Sequence, residues 1–85
     1  MTDKWYELTV KAPEGNGYTS PQAMKRVDEH INQYTAAFNA PEGVPIQNLD
    51  GSFNLRVYST GALGIVKYNL TKHYGLEILK EVENE

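Results

Sequence analysis

Two stretches of this chain, Lys4–Lys11 and Ser52–Ser59, alternate in character residue by residue. In the first, Tyr6, Leu8 and Val10 point one way and Trp5, Glu7, Thr9 and Lys11 the other. In the second, Phe53, Leu55 and Val57 alternate with Asn54, Arg56 and Tyr58. A period of two marks a strand that is buried on one face only. The chain must therefore build a sheet with one side on a core. The remaining elements have to supply that core and cover that side.

The first covering element starts at Ser20-Pro21. Serine caps free backbone N–H groups, and proline at the first helical position loses no hydrogen bond. Met24, Val27, Ile31, Tyr34 and Phe38 follow at helical spacing as one apolar stripe, with Lys25, Arg26, Asp28, Glu29 and Gln33 on the other face. Asn39 and Pro41 are expected to end this helix. Before it, Pro13 stops the first strand, and Glu14-Gly15-Asn16-Gly17-Tyr18 reads as a loop.

Val44–Leu49 is a short apolar-leaning run whose Pro45 lacks a ladder donor, so it is expected as an edge strand. Asp50-Gly51 then predicts a tight hairpin of type I′ into Ser52–Ser59. Residues 61–74 fit two readings. As a helix, Ala62, Ile65, Val66, Asn69, Leu70, His73 and Tyr74 share a face, Ser59 or Thr60 caps it, and Gly75 closes it with Leu76 folding back. As a strand, Val66, Tyr68 and Leu70 alternate. The stop signal at Gly75 favours the helix. In the last strand, Leu76, Ile78 and Val82 are placed on one face and Glu77, Leu79 and Glu81 on the other. The closing Glu81-Val82-Glu83-Asn84-Glu85 is expected to fray.

The resulting order is β-α-β-β-α-β, the element order of a ferredoxin-like fold. It predicts an α+β two-layer sandwich with a four-stranded antiparallel sheet. The two clean alternators would be its central strands, and both helices would cover one face. If residues 61–74 form a strand, the chain becomes one helix packed on a β-meander.

Composition bounds the rest. Eighty-five residues make one small domain, residues 1–85, expected to fray at both termini. The absence of cysteine excludes a disulfide framework and thiolate metal sites. A core this small, without staples, makes homo-oligomerisation a reasonable extra source of burial. The N-terminus lacks the basic-then-apolar pattern of a signal peptide, and no apolar run could span a membrane, so a cytoplasmic protein without membrane contact is expected. The net charge of −3 offers no non-specific grip on nucleic acid.

No catalytic constellation is visible, and no cofactor or metal is called for. His30 reads as a solvated surface histidine, and His73 as a helix-end residue beside Tyr74. Two features do invite function. The first is the sheet face away from the helices, which carries Trp5, Glu7, Thr9, Arg56, Tyr58 and Leu79. Trp, Tyr and Arg are enriched in binding hot spots, which suggests a non-enzymatic module that dimerises or docks on a partner protein. The second is Gly15, Asn16, Gly17 and Ser20, a loop before a helix N-terminus that could hold an anion or small ligand. Single-stranded nucleic acid stacked on the same aromatic face is a third reading. It ranks below a protein partner, because the net charge has the wrong sign.

Overall fold

A computed structural model describes residues 4–84 of the chain. Its elements run β1 (Trp5–Lys11), α1 (Pro21–Ile31), β2 (Ala36–Phe38), β3 (Phe53–Val57), α2 (Thr60–Tyr68) and β4 (Glu77–Asn84). The strands form one antiparallel sheet in the order β2-β3-β1-β4, so the two alternating stretches are its centre. This is a compact α+β arrangement with two helices, and residues 61–73 are helical; the meander alternative is excluded.

Both helices pack on the face formed by Tyr6, Leu8, Val10, Phe53, Leu55 and Val57. Helix α1 contributes Met24, Val27 and Ile31, all fully buried. Its start is as expected: Ser20 is extended, and its hydroxyl accepts a hydrogen bond from the Ala23 amide. Helix α2 contributes Val66 and, beyond its end, Leu70. Ile65, expected on the inner face, is instead 44% exposed. The Tyr6 hydroxyl meets Thr60 Oγ1 at 3.0 Å and ties β1 to the start of α2.

Helix α1 stops earlier than its apolar stripe suggests. A 3₁₀ turn follows over Asn32–Tyr34, and Thr35 then adopts a left-handed conformation with φ of 57°. That residue reverses the chain into β2, which pairs with β3 through Ala36–Val57, Ala37–Arg56 and Phe38–Leu55. Phe38 therefore enters the core from a strand. Its amide is held by the Asp28 carboxylate of α1 at 2.8 Å. The gain from pairing with β3 outweighs the helix preference of Ala36 and Ala37.

Val44–Leu49 consequently forms no strand. It makes a single bridge, Gln47 to Phe53, within the connection from β2 to β3. Pro45 is fully buried there. The hairpin tip is a three-residue loop, closed by Asn48 N–H to Ser52 O at 2.7 Å and Gly51 N–H to Asn48 O at 2.9 Å. Only Gly51 takes positive φ, at 91°, whereas a type I′ turn would require it of Asp50 as well.

The chain leaves α2 through a π-helical turn, Asn69–His73. Gly75, at φ of 69°, stops it, and the Leu76 amide folds back onto Leu70 O at 2.9 Å. The last strand then departs from simple alternation. Thr9 faces Lys80 but Val10 faces Ile78, so Leu79 is an extra residue in a bulge. The bulge exchanges the two faces. Val82, opposite Glu7, lies on the open side, while Glu81 lies on the helix side and pairs with Lys67 of α2 at 2.7 Å. Strand β4 continues to Asn84, opposite Trp5. Met1–Asp3 and Glu85 lie outside the described residues.

Candidate functional site

The sheet face away from the helices is built in rows by the strand register. One row reads Ala37, Arg56, Glu7, Val82 across the four strands, and the next reads Asn54, Thr9, Lys80. Trp5 lies one position from Tyr6, which pairs with Val57; extending that register sets Trp5 opposite Tyr58. The face thus gathers Trp5, Glu7, Thr9 and Arg56, with Tyr58 at its rim and 50% exposed. Leu79 is in the bulge of edge strand β4, also 50% exposed.

Side chains on this face are organised among themselves. The Arg56 guanidinium lies 4.9 Å from the centre of the Trp5 ring, within range of a cation–π attraction. Its Nε is 3.9 Å from Glu7 Oε2. Thr9 Oγ1 donates to Asn54 Oδ1 at 2.9 Å, and Asn48 Nδ2 reaches the same oxygen at 3.4 Å. The Arg56 guanidinium thus sits over the indole while the side chain stays more than half exposed. Beside it, a shallow groove of about 360 Å³ runs between Arg56 and Tyr58 on one side and Asn39 and Pro41 on the other. Such a surface offers a stacked aromatic–arginine pair flanked by polar groups, the mixture typical of an interface rim around a small anchor.

The Gly15–Ser20 loop is engaged within the chain. Gly15 and Gly17 take positive φ, at 84° and 96°, and flank Asn16. Asn16 Nδ2 donates to Tyr74 O at 2.8 Å and to Gly75 O at 3.3 Å, while Oδ1 accepts from the Tyr18 amide at 3.1 Å. The side chain thus satisfies carbonyls at the end of the second helical segment, which otherwise lack partners. The Ser20 hydroxyl is engaged as the cap of α1. Gly17, Ser20 and Arg26 border one shallow hollow.

A third grouping was missed by reading the residues in order. His30, on α1, and His73, at the end of the π-helical turn, have ring centres 5.5 Å apart. His30 Nδ1 lies 2.6 Å from the Tyr74 hydroxyl, and Tyr18 packs edge-on against Tyr74 at 5.2 Å. Tyr34 stands 5.9 Å from His30. Burial raises the Tyr74 pKa above that of an ordinary phenol, with a smaller push from Tyr18. His73 does pack beside Tyr74, at 4.6 Å, as its position suggests, but His30 is partly buried in this cluster and is not free in solvent. Forty-three positions separate the two histidines, and only the packing of the two helical segments reveals their proximity.

Among the described residues, no group of three or more histidine, aspartate or glutamate side chains is placed to hold a metal ion. No described helix is long and apolar enough to cross a membrane. No family model matches this chain, and no curated protein and no solved structure matches it either.

Proposed function

We propose that this chain is a small, non-enzymatic protein-interaction module. It would be built on a ferredoxin-like β-α-β-β-α-β sandwich and associate, with itself or with a partner protein, through its open sheet face. The observation that carries this reading is the Trp5–Arg56 stack on a sheet face that neither helix covers. Indole and guanidinium held together are already ordered, so less side-chain freedom is lost when a partner covers them. Tyr58 at the rim extends the same patch. The interior of the domain is a small one, and covering this face would add to it the burial that an 85-residue chain lacks.

Sedimentation equilibrium of the wild type, Trp5→Ala and Tyr58→Ala tests the reading. The wild type is expected to associate in a concentration-dependent way, with itself or with an added partner. Each variant should weaken that association by about tenfold or more, since truncating a hot-spot aromatic costs about 2 kcal/mol. Association of equal strength in all three proteins refutes it.

A further inference from the structure

The strand register makes the open sheet face complementary to itself. We infer that the occupant of this face is a second copy of the chain, laid face to face about a two-fold axis that runs parallel to the strands, midway between β1 and β3. The inference rests on the reading of the open face as the association surface, and adds which partner covers it and in what geometry. A two-fold axis of this kind, lying between two stacked sheets, keeps each row of residues level and exchanges the strands to either side of it. Strand β1 of one copy then lies over β3 of the other, and β4 over β2.

Glu7 and Arg56 are paired in one row, so Glu7 of each copy faces Arg56 of the other, twice in the dimer. Thr9 faces Asn54 in the same way. Trp5 comes opposite Tyr58 by extension of the register, which gives one aromatic pair on each side of the sheet pair. At the edges Val82 faces Ala37. Ala37 lines the shallow groove beside Arg56 and Tyr58, so the larger valine of one copy enters a depression in the other. Lys80 comes opposite the uncharged Asn39, which is bonded to Asn54 in the same row. Lys11 and Glu77 already face each other within one chain.

Other two-folds through the centre of this face fail on charge. An axis along β1 sets Glu7 against Glu7, and one along β3 sets Arg56 against Arg56. An axis across the strands at the row of Glu7 opposes both like pairs at once. Moved to midway between the rows of Glu7 and Thr9, it sets Glu7 against Thr9 and Arg56 against Asn54, and no unlike pair forms. Facing like charges oppose association and facing unlike charges fix its register, so the axis between β1 and β3 is selected. Both groups are available for the crossing. Within one chain Arg56 Nε is 3.9 Å from Glu7 Oε2, and the side chains are 55% and 40% exposed. Guanidinium carries five donors, more than this single loose contact uses. Stacked sheets lie about 10 Å apart, a gap that a facing arginine and glutamate span. Four strands by the length of β1 give a face of about 19 by 23 Å, so two copies cover roughly 900 Å² in all, the size of a weak, reversible dimer.

Sedimentation equilibrium from the micromolar to the millimolar range tests the inference by charge exchange. The wild type should dimerise reversibly. Glu7→Arg and Arg56→Glu each put like charges at both crossings, and each should weaken dimerisation by about a hundredfold or more. Both side chains are on the surface, so the variants should keep the wild-type circular dichroism spectrum. An equimolar mixture of the two variants should recover the dimer as a heterodimer, because both crossings are again arginine against glutamate. A wild type that stays monomeric overturns the inference, as do single variants that dimerise like the wild type or a mixture that stays monomeric. The broader reading is judged apart, by Trp5→Ala: association that this variant weakens but the charge exchange leaves unchanged keeps the face as the association surface and rejects the two-fold described.

Discussion

Asn16 joins the loop before α1 to the end of the second helical segment, and its removal has a cost that the structure allows to be worked out. Asn16→Ala deletes three hydrogen bonds: two donated to Tyr74 O and Gly75 O, and one accepted from the Tyr18 amide. The bond to Gly75 O is exposed, and water replaces it at little cost. The other two are partly buried and contribute about 1 kcal/mol each, giving a loss of about 2 kcal/mol. For a domain of this size that is a large share of a total of roughly 5 kcal/mol. Urea unfolding followed by fluorescence of the single tryptophan, Trp5, reads the change. With a slope of about 1 kcal/mol per molar urea, the midpoint should fall by about 2 M with no change in slope. Asn16→Asp sharpens the test, because the introduced carboxylate would face two carbonyl oxygens at a helix C-terminus. It should be less stable than Asn16→Ala at pH 7. Folding then favours the protonated carboxyl and raises its pKa above the unfolded value of about 3.9, so this stability is fully present below about 3.9 and is lost as pH rises through the higher folded value. A midpoint for Asn16→Ala within about 0.5 M of the wild type would refute the reasoning, as would an Asn16→Asp variant as stable as the wild type at pH 7.

Two further outcomes follow from the same loops. Gly75→Ala should destabilise by about 1–3 kcal/mol, because Gly75 takes φ of 69° and an added Cβ would lie 2.9 Å from Asn16 Nδ2. In an Asn16→Ala background only the backbone cost remains, so a double-mutant cycle in urea should show coupling between the two sites; strict additivity would contradict the contact. Asp50 accepts hydrogen bonds from the Ser52 hydroxyl and amide, and these hold its carboxyl below the usual aspartate range, aided by Lys11. Its contribution is present above the unfolded pKa of about 3.9 and is lost as pH falls through the lower folded value. Thermal unfolding of Asp50→Asn should therefore decline less steeply between neutral and strongly acidic pH than that of the wild type, and parallel curves would count against this role.

The parts of the fold legible in the residues were those decided by neighbours in the chain. Ser20-Pro21 marks the start of α1 because capping is a local event, and Gly75 marks the end of the second helical segment because positive φ suits glycine. The faces of β1 and β3 follow from strict alternation. Strand β2 was hidden because two periods overlap in it. Tyr34 and Phe38 lie four apart, as on a helix, while Ala36 and Phe38 lie two apart, as on a strand. The deciding residue is Thr35, a β-branched type that rarely takes positive φ, so nothing in its identity announces the reversal. The bulge at Leu79 was equally hidden, since a single extra residue leaves no local mark yet moves Val82 and Glu81 to opposite faces. On the site, Trp5, Glu7, Thr9 and Arg56 could be placed together from parity alone. The approach of Arg56 to Trp5 is a diagonal contact between strands and needed the register.

The two sheet edges bear on the proposed use of the open face for association. On β2, the Phe38 amide is held by the Asp28 carboxylate, so this short edge has lost a donor that an added strand would need. On β4, the edge is long, but its charges oppose self-pairing. Two copies related by a two-fold axis pair antiparallel, and directly opposed residues then lie on the same face. Pairing centred on Lys80 sets Lys80 against its own copy, and pairing centred on Glu81 sets Glu81 against Glu81. Centring on Val82 brings Glu81 against Glu83. Each register places like charges directly across the junction, which destabilises it, and the bulge at Leu79 bends the strand away from a flat partner. Edge-to-edge growth of the sheet is thus opposed at both ends by groups that the fold places there. On the proposed reading, association through the sheet would use its face, where Arg56, Lys80 and Lys11 stand with Glu7 and Glu77 and neither sign dominates strongly.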